Sequence, residues 1–158
     1  MITQSGDQRQ AARGTRAAWM RVMALAEPDA LARAYAALGE LPGYRKLRAP
    51  ETGMAMVRGR AGGTGAQFNL GEVSVTRCAV AFDGDGVVGT AYVRGRAHRH
   101  AEQAAVLDGL LQMASWHQRV HAGVIEPLAR AHADKAARRA AVAAQTRVDF
   151  FTMVRGDN

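Results

Sequence analysis

The run from Val73 to Phe82, the turn Asp83-Gly84-Asp85-Gly86 and the run Val87–Arg94 constrain this chain more than any other stretch. Two extended, apolar-rich segments joined by acid–glycine pairs read as an antiparallel hairpin, because glycine and aspartate supply turn conformations that other residues resist. Helical spacing lies on both sides of it. Upstream, Trp19, Val22, Met23 and Ala26 fall at i, i+3, i+4 and i+7 of a helix predicted from about Gln8 to Ala26. Pro28 suits the first turn of a second helix, in which Leu31, Ala34, Tyr35 and Leu38 repeat the spacing and Gly39 is a stop. Between the helical pair and the hairpin, residues 45–49 and 54–58 read as separate strands. A glycine loop, Gly62-Gly63-Thr64-Gly65, follows, and Phe68 and Leu70 share one face of the next short strand. Three to five antiparallel strands are expected.

After Gly95 the helical period returns, with Leu107, Leu110, Leu111 and Ala114 in one stripe flanked by Val106 and Met113. Gly123 and Pro127 mark a break or restart. Residues 128–146 form an alanine-rich helix in which Leu128 and Val142 are the only large apolar side chains. Such a helix has strong intrinsic propensity but little to bury, so it packs through alanine faces or rests on another molecule. The predicted fold class is α+β: an N-terminal helical pair, a small antiparallel sheet, then two C-terminal helices. One domain is expected over residues 1–158, with the pair at 8–39, strands at 44–95, helices at 97–146 and an apolar tail at 147–158. A chain of 158 residues buries enough surface to need no metal or disulfide.

Cys78 is the sole cysteine, which excludes an intrachain disulfide and zinc fingers. No apolar signal region opens the sequence and no apolar run reaches ~18 residues, so a soluble, cytoplasmic setting without membrane partners is expected. The net charge of +7 leans toward the N-terminus but contains no run of five basic residues. Nearly all of it is arginine, the side chain suited to bidentate grip on phosphate or phosphonate oxygens.

Four features could carry chemistry. In Arg58-Gly59-Arg60-Ala61-Gly62-Gly63-Thr64-Gly65, glycines let backbone N–H groups approach an anion and two arginines add charge, although no lysine completes a phosphate loop. The same residues also describe a tight strand connection with solvated arginines. Alternation puts Arg77 beside Val73 and Val75, where a guanidinium needs a partner or ligand; in the other reading that face is solvated and Ser74, Thr76, Cys78 and Val80 point inward. Arg94-Gly95-Arg96 precedes His98, His100 and Glu102. A helix start there spreads i, i+2 and i+4 around the axis, which disfavours a metal site and favours a helix-terminal anion site with Arg94 or Arg96. Finally, Phe150, Phe151, Met153 and Val154, introduced by Arg147, are costly to expose and read as a subunit contact or a docked tail.

Together these stretches resemble a known family. Arg58-Gly59-Arg60 with Gly62-Gly63-Thr64-Gly65, Phe68 to Gly71, and Thr76-Arg77 are similar to its central block. Tyr92-Val93, Gly95-Arg96 and His100-Ala101-Glu102 are similar to its second block. Arg147-Val148-Asp149-Phe150-Phe151-Thr152-Met153-Val154-Arg155-Gly156-Asp157 resembles its C-terminal motif, and Trp19 and Pro50-Glu51-Thr52-Gly53 fit as well. On these residues the chain is identified as a member of the G-subunit (PhnG) family of the carbon–phosphorus lyase system. The resemblance implies two copies assembled with subunits H, I and J and with an ATP-binding-cassette-like subunit. It implies support for displacement of adenine from ATP by methylphosphonate, giving ribose 1-methylphosphonate 5-triphosphate, with the catalytic groups on other subunits. No catalytic residue and no metal or cofactor bound by this chain alone is expected; ATP and the phosphonate are substrates of the complex. The anion or substrate contacts expected from the sequence are Arg58, Arg60, Gly62, Gly63, Thr64, Gly65, Arg77, Arg96, His100 and Glu102. Two other classes remain: a basic nucleic-acid-binding module, weakened by dispersed charge and missing aromatic interleaving, and an independent phosphotransferase or hydrolase.

Overall fold

The central hairpin forms as the alternation requires, and the computed structural model describes residues 15–84 and 86–145 around it. Helix α1 spans Arg16–Leu25; Thr15 caps it by accepting from the Ala18 N–H through its hydroxyl, and Trp19 and Met23 face the core. Its predicted start at Gln8 lies outside the described residues. Helix α2, Pro28–Ala36, begins on its proline, buries Leu31 and ends before Gly39, whose φ of +76° a side chain would resist.

Strand β1 runs unbroken over Tyr44–Arg60, where two separate strands were expected. Pro50 does not end it, for two reasons. β1 is the edge of the sheet, and its register against β2 slips on either side of Arg48, so the missing proline N–H falls where no ladder bond is required. Likewise β2 is one strand, Gln67–Phe82, that absorbs the short strand placed at Phe68 and Leu70. Strand β3, Val88–Arg94, completes a three-stranded antiparallel sheet of order β1-β2-β3. Phe82 N–H donates to Val87 O at 3.0 Å across the turn.

Helix α3, His98–Gln112, lies on one face of this sheet and is buried around most of its circumference. It approaches β3 at two glycines: a Cβ on Gly89 would stand 2.0 Å from Ala105 O, and one on Gly109 would stand 2.3 Å from the Phe82 ring. Beyond α3 the chain stays helical through α4 (Ala114–Val120), a π-helical turn (His121–Ile125) and α5 (Glu126–Gln145). The expected break at Gly123 and Pro127 is this π turn. Glu126 N–H reaches back five residues to His121 O, and Pro127 supplies no donor to restore the ordinary ladder at the next position. Leu128 is the buried residue of α5, and residues 136–141 are exposed. No helix among the described residues is long and apolar enough to cross a membrane.

The core gathers Trp19, Met23, Leu31, Leu38, Val80 and Phe82 around Val106, Leu107, Leu110 and Leu111 of α3, with Val120, Val124 and Ile125 closing the far side. Cys78 belongs to it at 2% exposure, its Sγ 3.4 Å from Arg48 O. Burial, and then the negative charge of Glu102, push its thiol above the ordinary range, so little thiolate is present at neutral pH. Iodoacetamide at pH 8 is expected to alkylate Cys78 at least about a hundredfold more slowly in the native chain than in urea, since reaction must await opening of the sheet. Mass spectrometry over time checks this.

Candidate functional site

β1 and β2 outrun β3. The last residue of β3, Arg94, pairs with Val75, and the Gly95 N–H donates to Ser74 O at 2.7 Å. Past that point β1 and β2 continue as a two-stranded arm, from Met54↔Ser74 to Arg60↔Gln67. At ~3.4 Å per residue, residues 54–60 reach roughly 24 Å from the three-stranded sheet.

The base of the arm is fastened to the start of α3 by a hydrogen-bond chain whose directions follow from its ends. Thr76, fully buried, must donate to the carbonyl of Gly95 at 2.6 Å, and it accepts from the Ala97 N–H at 3.1 Å. Thr52 then donates to Thr76 Oγ1 at 2.9 Å, which leaves Thr52 to accept from Nε2 of His98 at 3.0 Å. His98 is thus a strap on the arm.

Outside the strap, Arg77 is exposed and pairs with Glu51 at 2.6 Å, and Arg48 binds the same carboxylate oxygen. This answers the question left by the sequence: Thr76, Cys78 and Val80 point inward, and the guanidinium finds its partner on the solvent face. Arg48, then Arg77, hold the Glu51 carboxyl below the usual carboxylate range.

Arg58 and Arg60 occupy the far end of the arm, both exposed. The connection is a short 3-10 turn, Ala61–Gly63, in which Gly62 and Gly63 adopt φ of +59° and +79°. Both positions favour glycine for that reason. Arg60 Nη1 donates to Gly65 O at 2.8 Å and so staples the loop formed by Gly62, Gly63, Thr64 and Gly65; Arg58 stands beside it. The arginines singled out in the sequence are therefore split. Arg60 and Arg77 are separated by most of the arm, and Arg96 sits exposed in the link from β3 to α3, so they do not line one pocket within this chain.

His100 and Glu102 face other duties. His100 is 5% exposed, and its Nε2–H donates to Met23 O at 2.7 Å, tying the end of α1 to α3. Its Nδ1 has no hydrogen-bond partner among the described residues. Glu102 accepts from Tyr44 Oη at 3.1 Å and pairs with Lys46 at 2.9 Å. Burial, followed by the adjoining Tyr35 and Glu102, drives the Tyr44 phenol well above its ordinary value, so it stays a donor. Arg147, Phe150, Phe151, Met153 and Val154 lie outside the described residues.

Two polar groupings escaped the sequence reading. Asp108, fully buried, receives Arg16 through Nη2 at 2.7 Å and Nε at 3.1 Å, Trp19 Nε1 at 2.9 Å and the Thr90 N–H at 2.9 Å. A carboxylate between Leu107 and Leu110, inside the otherwise apolar run 104–111, was the available signal. The second is a cleft of about 650 Å³ between α1 and α5, where His117 and His121 stack with ring centroids 5.8 Å apart beside Glu126 and Arg130. Their i, i+4 spacing was visible, but the π turn that sets Glu126 beside His121 was not. Among the described residues, no three His, Cys, Asp or Glu side chains group so as to hold a metal ion.

Comparison with known proteins bears on the whole chain. Residues 14–156 match the family described as "Phosphonate metabolism protein PhnG". A protein of Rhizobium meliloti (strain 1021), named alpha-D-ribose 1-methylphosphonate 5-triphosphate synthase subunit PhnG, is 42% identical over 139 residues, covering 88% of each chain.

Proposed function

The chain belongs to the PhnG family of phosphonate metabolism proteins, and from that membership we propose that it is a structural and substrate-orienting subunit of an assembly that makes ribose 1-methylphosphonate 5-triphosphate. In this reading the assembly displaces adenine from ATP with methylphosphonate in the cytoplasm. Subunits H, I and J and an ATP-binding-cassette-like subunit are its partners, two copies of this chain are present, and the bond-making groups belong to other subunits. The observation that carries the reading is the arm: a projecting ribbon with arginine at its end, held at its base by the Thr52–Thr76–His98 strap. A triphosphate and a phosphonate together carry several negative charges, and arginines at the end of the ribbon lower the cost of bringing them together without forming any bond.

Arg58 is the residue to test, because Arg60 also holds the loop. In the reconstituted assembly, Arg58→Ala is expected to purify with its partners but to release adenine from ATP and methylphosphonate about tenfold more slowly, the loss of one charge-assisted contact. Arg58→Lys should recover part of the rate. Wild-type adenine release by Arg58→Ala, followed by chromatography, would remove the orienting role.

A further inference from the structure

The arm exposes large apolar side chains on both faces, and one of the two is apolar along its whole length. Directly paired residues share a face of a ribbon, so Met54 and Met56 lie on the side of Thr52 and Thr76, with Ser74 Oγ 3.6 Å from Met54 Sδ. The opposite side carries Ala55, Val57 and Val73. Leu70 lies there too, its side chain 3.8 Å from where a Cβ on Gly59 would stand, and Phe68 is paired with Gly59. Met54, Met56, Phe68 and Leu70 are 60, 51, 46 and 65% exposed. The methionine side also carries Ser74, Glu72, Asn69, Arg58 and Arg60, whereas the other side carries no polar side chain, and two strands without a packed face are marginally stable at best. Exposed apolar side chains on both faces, mixed with charge on one, describe a strand pair covered from two sides.

We propose that this arm inserts lengthwise into a slot of another subunit of the assembly, lined by apolar side chains and rimmed by carboxylates. The inference rests on the reading of the chain as a subunit and goes beyond it by naming the surface. Charge selects the occupant. The free end of the arm carries Arg58 and Arg60, and its base carries Arg48, Arg77, Arg94 and Arg96 against Glu51 and Glu72. A second copy laid antiparallel along the arm would bring arginine-rich end to arginine-rich base, whereas a slot with carboxylates at its mouth complements the base and leaves Arg58 and Arg60 to the substrate. Two methionines on one face suit such a slot, since their unbranched side chains adapt to its wall.

The test places a photo-crosslinking residue at position 56, and separately at 70, in the full chain co-expressed with its candidate partners. Crosslinks from both positions to one partner subunit are expected. Independently, Met56→Asp and Leu70→Asp, both at exposed positions, should leave the circular dichroism and melting temperature of the free chain unchanged while weakening its association by at least about thirtyfold. An intact assembly that yields no arm crosslink, or crosslinks only to a second copy of this chain, overturns the insertion and leaves the subunit reading standing. So does undiminished association of the two aspartate variants. Failure of the wild-type chain to purify with any partner removes the subunit reading and the insertion with it.

Discussion

Gly89→Ala is expected to cost about 3 kcal/mol or more of folding stability, a large share of the 5–15 kcal/mol typical of a domain. The added methyl would fall 2.0 Å from Ala105 O, 2.6 Å from Gly109 N and 3.0 Å from Gly109 Cα, all backbone atoms of α3. No side chain can turn aside to make room, so the helix must lift off the sheet and loosen the contacts of Leu107, Leu110 and Leu111 with it. Gly109→Ala meets the Phe82 ring at 2.3 Å instead, an obstacle that can be trimmed. In urea denaturation, combining Gly109→Ala with Phe82→Leu should therefore cost less than the sum of the two single changes. Gly89→Ala should gain nothing from Phe82→Leu. A midpoint for Gly89→Ala within error of the wild type would show that α3 does not approach β3 as described.

Asp108→Ala is expected to be comparably severe, about 3–5 kcal/mol. Its carboxylate is the common acceptor for α1, through Arg16 and Trp19, and for β3, through the Thr90 N–H. Removing it strands the buried indole and backbone donors and leaves the Arg16 guanidinium without its counter-charge. Asp108→Asn should not rescue. Both carboxylate oxygens accept only, and an amide NH₂ in either position would face donors. Asparagine is thus expected to cost at least about 2 kcal/mol by urea denaturation. Arg16→Met, by contrast, leaves Trp19, the Thr90 N–H and Gln112 in place and should cost less than Asp108→Ala.

Much of this architecture could be read from residue pattern. The i, i+3, i+4 spacing of Trp19, Met23, Leu31 and the leucines of α3 located those helices, and the Asp83–Gly86 turn located the β2–β3 hairpin. The strands of the arm were legible as short pieces, at 54–58 and around Phe68 and Leu70, but their continuity was not, for physical reasons. Pro50 argues for a strand end unless the strand is known to be an edge. Alternation also fixes a strand's extent best when one face is buried, and residues 54–60 leave both faces largely exposed within this chain. The same cause divided the candidate site. Arg58, Arg60, Arg77 and Arg96 shared an arginine–glycine or strand context in sequence, but their distance along the ribbon depends on β1 and β2 being continuous. His100 looked functional beside Glu102 because pattern alone cannot see that Met23 O waits 2.7 Å from its ring. Five of the 21 cationic side chains, Arg16, Lys46, Arg48, Arg77 and Lys135, are tied to carboxylates.

The α5 helix follows the same logic as the arm. Beyond the Lys135–Glu27 pair its described residues are alanines, two arginines, Val142 and Gln145, all exposed. A helix of that composition keeps its form through alanine propensity, and it presents a smooth surface on which a neighbouring chain can lie. The Phe150–Val154 stretch begins five residues after Gln145 in sequence.

The most direct test of the account reconstitutes the candidate partner subunits with and without this chain and follows adenine release from ATP and methylphosphonate. Release that requires this chain, together with none from the chain alone, is the predicted result. Adenine released by the solitary chain, or at an undiminished rate when it is left out, would contradict it.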